Sequence, residues 1–150
     1  ERALSVAPKE IAPEIRTELA AVLFGLGHSA RAREVVTLAI ENARDSFVFA
    51  DALFRLGQIL LHESETAAAR EALEKALEHD RFAGRRRRIA RSLELLAEVA
   101  RREGRLDDAK ELEQRRQAVL ASLEDEEHGT SPETDTAPGQ EPQLSRSSPR

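Results

Sequence analysis

Apolar residues recur at spacings of three and four from residue 13 to about residue 126, with almost no β-branched runs. Gly and Pro stand mostly between the periodic stretches, as punctuation. The pattern predicts an all-α chain with helices near 13–26, 30–44, 47–63, 66–80, 85–103 and 106–126. Pro13 suits a first helical turn, where its missing N–H leaves no bond unmade. Ser29, Ser46 and either Ser64 or Thr66 are suited to N-caps, and Gly27 and Gly104 to the turns that close helices. Links of only a few residues make chain neighbours antiparallel.

Laid out in pairs, the helices repeat. The second pair carries Leu53, Leu56-Gly57, Leu60, Ala69, Leu73 and Ala76. A shift of 37 residues back gives Arg16, Leu19-Ala20, Leu23, Ala32, Val36 and Ala39, which agree in nearly every slot. A shift of 40 forward gives Leu93, Leu96-Ala97, Ala100 and Ala109, after which Glu113 and Arg116 break the pattern. A large residue followed by a small one lets a neighbouring helix approach beside an apolar knob. Ala32 with Ala39, and Ala69 with Ala76, make shallow strips that Val36 and Leu73 fill. Each pair alone leaves an apolar face uncovered, so the pairs must stack as a helical solenoid.

These slots resemble the tetratricopeptide repeat, a unit of two antiparallel helices over about 34 residues. Leu56-Gly57, Leu60, Ala69, Leu73 and Ala76 stand where that family has Leu-Gly, an aromatic residue, Ala, a large residue and Ala. Leu53 and Leu60 replace aromatic residues, the period is 37 and then 40, and no Pro closes the repeat after Asp80. The extra residues fall around Phe47–Phe49 and Gly84–Ile89, between pairs, where a solenoid tolerates insertion. The resemblance implies a right-handed helical-repeat solenoid. Glu1 to Pro8 looks like the last turns of a preceding repeat, so residues 1–10 are expected to end a truncated unit and the chain to be part of a longer array. Residues 11–127 are the expected repeat domain of about three helix pairs. Its last helix is expected to cap the stack with a polar outer face bearing Glu113, Arg115 and Arg116. From about His128 the chain is rich in Gly, Ser, Thr, Pro, Gln and Glu, with Leu144 almost its only large apolar residue, and is expected to be disordered. Ser131-Pro132 and Ser148-Pro149 lie in that tail and are read as ordinary solvated pairs.

In this family the first helix of each pair lines a concave groove that receives a peptide or a partner helix, and the resemblance implies the same use here. Helical spacing then selects the lining residues. They are Thr17, Ala21 and Phe24 on the first pair, Phe54, Gln58, Leu61 and His62 on the second, and Arg91, Glu94, Glu98, Arg101 and Arg102 on the third. This groove is expected to be apolar near Phe24, Phe54 and Leu61 and charged at its other end, with burial of Phe54 and Leu61 under the next repeat as the alternative. The Lys and Asn that some members use to clamp a C-terminal carboxylate are missing. Thr17 and Ala21 stand on the first pair, Arg55 takes the place of Asn, and Leu95 that of a cation.

Composition narrows the chemistry. The chain has 150 residues, 40 % hydrophobic and 34 % charged, with a formal net charge of −5. Seven of its 28 acids (Glu124, Asp125, Glu126, Glu127, Glu133, Asp135 and Glu141) and two of its 23 bases (Arg146 and Arg150) lie from Glu124 onward. That segment therefore holds the whole net charge, and residues 1–123 balance at 21 acids and 21 bases. A neutral body exerts no long-range pull on nucleic acid or anionic lipid. Arg85, Arg86, Arg87 and Arg88, flanked by Arg81 and Arg91, are the conspicuous cationic run. They are a candidate contact for an anionic partner, with the acidic segment at Asp125–Glu127 as a candidate shield. Nucleic-acid binding there is disfavoured because no aromatic residue is interleaved for stacking.

The chain has no Cys, which removes disulfides, thiol nucleophiles and iron–sulfur ligation. It has no stretch near the ~18 apolar residues of a membrane helix, so membrane insertion is not expected and the expected location is the cytoplasm. His28, His62, His79 and His128 have no partners at metal-ligand spacing, and no phosphate-cradling loop or nucleophile motif is present. The expectation is a protein–protein interaction scaffold without catalysis, cofactor or metal. A purely structural capping or oligomerising segment, including homo-oligomer formation, is the alternative.

Overall fold

The computed structural model describes residues 11–129. They form six helices: α1 (Pro13–Gly25), α2 (Ser29–Asn42), α3 (Ser46–His62), α4 (Thr66–Phe82), α5 (Arg86–Arg102) and α6 (Leu106–Gly129). Every boundary lies within three residues of the one the apolar pattern predicts. The caps differ in detail. Asp45, not Ser46, caps α3, its carboxylate accepting from the backbone N–H of Phe47 at 2.8 Å and of Val48 at 3.2 Å. Ser29 and Thr66 are already the first helical residues, after His28 and Glu65, which make no side-chain cap bond. Ser64 is no cap either: it sits in the left-handed region at φ 62°, in the slot that Gly27 fills in the first hairpin and Gly104 in the third. At each of these turns the next N–H returns to a carbonyl five residues back: His28 to Leu23, Glu65 to Leu60 and Arg105 to Ala100.

The hairpins stack in chain order. α1 packs on α2, α3 on α4 and α5 on α6, with α2 against α3 and α4 against α5 joining one pair to the next. The interior is correspondingly distributed. One cluster holds Ala20, Ala32, Val36, Ala39, Ala52 and Ile59, and the next holds Leu53, Phe54, Leu60, Leu73, Leu93, Leu96 and Val99 among others. The chain is thus a helical-repeat solenoid. In α6 only Ala109 is buried, while Leu112 and Val119 rest against the second cluster, so this helix covers the end of the stack and turns a polar side outward. It extends through Gly129, so His128 and Gly129 are helical rather than the start of a disordered tail. The His128 ring lies 2.9 Å from the Glu124 carbonyl, and Glu126 and Glu127 meet arginines of α5. The rest of the expected tail, both Ser-Pro pairs and the segment read as a truncated repeat lie outside the described residues.

The stacking is asymmetric. α3 touches both α1 and α5, whereas among the described residues α2, α4 and α6 do not touch one another. The first helices of the pairs are therefore on the inside of the curvature. At the open end, Ile15, Leu19, Val22 and Leu26 form an exposed apolar stripe along α1. The corresponding α3 positions, Ala52, Leu56 and Ile59, pack in the cluster formed with α2.

Candidate protein-binding face

The inner face is built from α1, α3 and α5, and its central feature is Phe54. The sequence allowed this ring to line a groove, and the structure overturns that reading: Phe54 is fully buried. The guanidinium of Arg88 lies 4.8 Å from its ring centre and that of Arg91 5.9 Å away. Two guanidinium groups from the next repeat lie against the aromatic ring. Leu61 and Thr17 are also buried, so neither lines an open surface. The Leu61 carbonyl accepts from Arg102 Nη1 at 2.7 Å, and the Thr17 hydroxyl donates to the Pro13 carbonyl at 2.8 Å. The apolar end expected of the groove is consequently reduced to half-buried Ala21 and Phe24 on α1.

What remains open is polar. Gln58 is half-buried and accepts from Arg55 Nη1 at 3.1 Å. Arg91 and Glu94 are exposed and lie 4.0 Å apart. Glu98 receives Arg101 at 3.1 Å and Arg102 at 3.0 Å, and the hydrogen bond from Arg102, above all, holds its carboxyl below the ordinary range. Ala21 and Phe24 are half-buried on α1, with the Phe24 ring edge-on to the exposed His62 at 5.4 Å. Phe24 with His62, and the Leu61 carbonyl with Arg102, are the same inter-repeat contact one unit apart, since 24 and 61 differ by the repeat interval of 37.

At the heart of the face stand Asp51, which was not singled out from the sequence, and Asp80 and Arg55, which were named there but not assigned to this lining. Asp51 Oδ1 accepts from Arg85 Nη2 at 2.8 Å and from Arg88 Nε and Nη2 at 3.0 and 2.6 Å. Asp80, buried to 1 %, accepts from Arg85 Nη1 at 3.1 Å through Oδ1, while its Oδ2 has no hydrogen-bond partner among the described residues. Burial raises the Asp80 carboxyl above the usual range, against the pull of Arg85 and Arg88. Arg55 is lowered from its usual value by burial first and then by the like charge of Arg88, and its Nε is buried without a hydrogen bond. The available signal was helix membership: Asp51 lies on α3 and Arg88 on α5, so opposite charges fall on neighbouring first helices. A ladder along the hairpin turns recurs from one repeat to the next. Arg33 bonds Glu63 at 2.8 Å, and Arg70 meets Glu103 at 3.4 Å.

The cationic run is therefore two groups, not one patch. Arg85 and Arg88 turn inward to Asp51 and Asp80, with Arg85 also 5.1 Å from the Phe47 ring centre. Arg86 and Arg87 point to the end of α6, where they pair with Glu126 and Glu127.

Stacked helix pairs in this register have a known counterpart: the profile of the tetratricopeptide repeat matches residues 48–122. The chain belongs to the tetratricopeptide repeat family. The match runs from α3 into α6, and α1–α2 joins it through the 37-residue register and the shared packing. No curated protein matches the chain. Tetratricopeptide repeats are non-catalytic scaffolds that generally mediate contacts between proteins. Among the described residues no three metal-ligating side chains gather at one point, and no helix is long and apolar enough to cross a membrane.

Proposed function

We propose that this tetratricopeptide repeat protein binds a segment of another protein along the inner face of α1, α3 and α5, through a carboxylate flanked by cations on the partner chain. The observation that carries the reading is the crowding of like charge: Arg88 and Arg91 lie against Phe54, and Arg55 is close enough to feel the charge of both. Arg55 is half-buried with an unbonded Nε, Arg91 has Glu94 at 4.0 Å as its charge partner, and Asp51 is already shared between Arg85 and Arg88. A carboxylate placed between Arg55 and Arg91 gains charge-assisted hydrogen bonds where no apolar anchor is on offer. Glu18, whose charge acts on Arg55, together with Glu94 and Glu98 would disfavour a uniformly acidic ligand and select one with cations on either side of its acid. Fluorescence anisotropy with labelled peptides of that charge pattern tests this. Arg91→Glu is expected to weaken binding at least about tenfold with unchanged melting, and unchanged binding overturns the proposal.

A second reading has its own observation. The exposed stripe of Ile15, Leu19, Val22 and Leu26 repeats positions that elsewhere pack beneath the second helix of the preceding pair. We propose that another helix, presenting small residues as Ala32 and Ala39 do, stacks there. Val22→Glu is expected to abolish that association without loss of helical content, and unchanged association argues against it.

A further inference from the structure

The outward half of the arginine run is a site in its own right. Consecutive guanidiniums of α5, Arg86 and Arg87, meet consecutive carboxylates of α6, Glu126 and Glu127. The second pair is 2.8 Å apart. All four side chains remain well exposed. Exposed ion pairs hold little net free energy and are screened by salt, so this contact is readily exchanged for a similar one from outside.

Three further features point to exchange rather than permanent closure. Val119, Leu120 and Leu123 are the last half-buried apolar residues of α6, and every residue from Glu124 to His128 is exposed. Releasing the end of α6 thus melts only a final turn and uncovers no core. Arg85 and Arg88, directly beneath, are locked to Asp51 and Asp80, so the fold does not depend on Arg86 or Arg87. The two exposed arginines border an open cleft with Gly84, Leu123 and Glu126, which leaves room for a second chain to approach from the α4–α5 turn.

We infer that Arg86 and Arg87 form a docking surface for an acidic segment of a partner protein, and that the acidic end of α6 occupies this surface as an internal competitor. Glu126 and Glu127 imitate the partner, so access depends on displacing them. The surface is separate from the inner face and does not rest on the reading of that face. It favours a protein over a nucleic acid because the competitor is itself a carboxylate pair on a helix and no aromatic side chain lines the cleft.

The test uses a fluorescein-labelled octaglutamate peptide at low ionic strength with the full chain and with the double variant Glu126→Gln, Glu127→Gln, which keeps good helix formers at both positions. Removing the competitor is expected to tighten binding about fivefold, a gain lost on adding salt or on adding Arg86→Gln with Arg87→Gln. Truncation after Leu123 is expected to give the same gain. Equal affinity for the full chain and both competitor-free forms overturns the inference. So does a single-stranded oligonucleotide of equal charge that binds the double variant more tightly than the peptide. Arg91→Glu separates the two surfaces. Retention of the gain in that background supports the inference, whereas its loss places the peptide on the inner face and overturns the α5–α6 site alone.

Discussion

Gly57 lies directly beneath Leu73: a β-carbon built on Gly57 would come 2.5 Å from Leu73 Cγ and 2.6 Å from Cδ2. The first hairpin fills the same two slots with different sizes, Ala20 and Val36, both fully buried in one cluster. A larger knob on one helix is matched by a smaller residue on the other. Because Leu73 is itself fully buried, it has no free direction in which to retreat. Gly57→Ala should therefore destabilise the protein by up to about 2 kcal/mol, overpacking outweighing a helix-propensity gain of about 1 kcal/mol. Urea denaturation measures this. Adding Leu73→Val should recover part of the loss, as a double-mutant cycle would register.

The turn at Ser64 offers the opposite change. Its φ of 62° matches positions that are glycine in the other two hairpins, and a side chain in that region is strained by roughly 1 kcal/mol. Ser64→Gly should stabilise by about 0.5 kcal/mol once the greater freedom of glycine in the unfolded chain is subtracted. A rise in thermal midpoint checks it, and a fall would show that the serine is held by something other than backbone geometry.

Asp80 makes stability depend on pH in an unusual direction. Burial raises its carboxyl in the folded state, so the folded chain binds the proton more readily than the unfolded one. The contribution of this residue is greatest below the unfolded value near 3.8 and declines as pH rises through the higher folded value. Relative to Asp80→Asn, the unmodified protein should gain stability as pH is lowered from neutral toward 4. Urea midpoints of both proteins across that range test the sign, and a relative loss on acidification would contradict it.

Phe54 and Arg91 touch, yet their substitutions should separate cleanly. Phe54→Ala removes a fully buried ring and should cost about 3–5 kcal/mol. Arg91→Ala removes an exposed cation with one loose partner and should cost less than about 1 kcal/mol. Comparable losses for the two would mean that Arg91 is part of the core rather than of a binding surface.

The helices and their register were legible because apolar spacing is a property of the chain itself. The cap at Asp45 was harder to place, since Ser46 satisfies the same local preference and only the bonds to Phe47 and Val48 distinguish them. Whether Phe54 and Leu61 meet water was not legible, because both stand at spacings that fit core and groove alike. Their burial depends on long side chains, Arg88, Arg91 and Arg102, arriving from the next repeat. The arginine run looked uniform in sequence, yet Arg85 and Arg88, three apart, share one side, and the two residues between them project away from it. Arg85 and Arg88 turn to Asp51, and Arg86 and Arg87 to α6.

The most direct measurement is an amide chemical-shift map of the isotopically labelled protein on titration with a peptide carrying a central acid flanked by cations. The account predicts that the largest changes fall on the inner face, around Arg55, Gln58, Arg91 and Glu94, and disappear in Arg91→Glu. Changes concentrated instead on the outer helices α2 and α4, with the inner face silent, would contradict it.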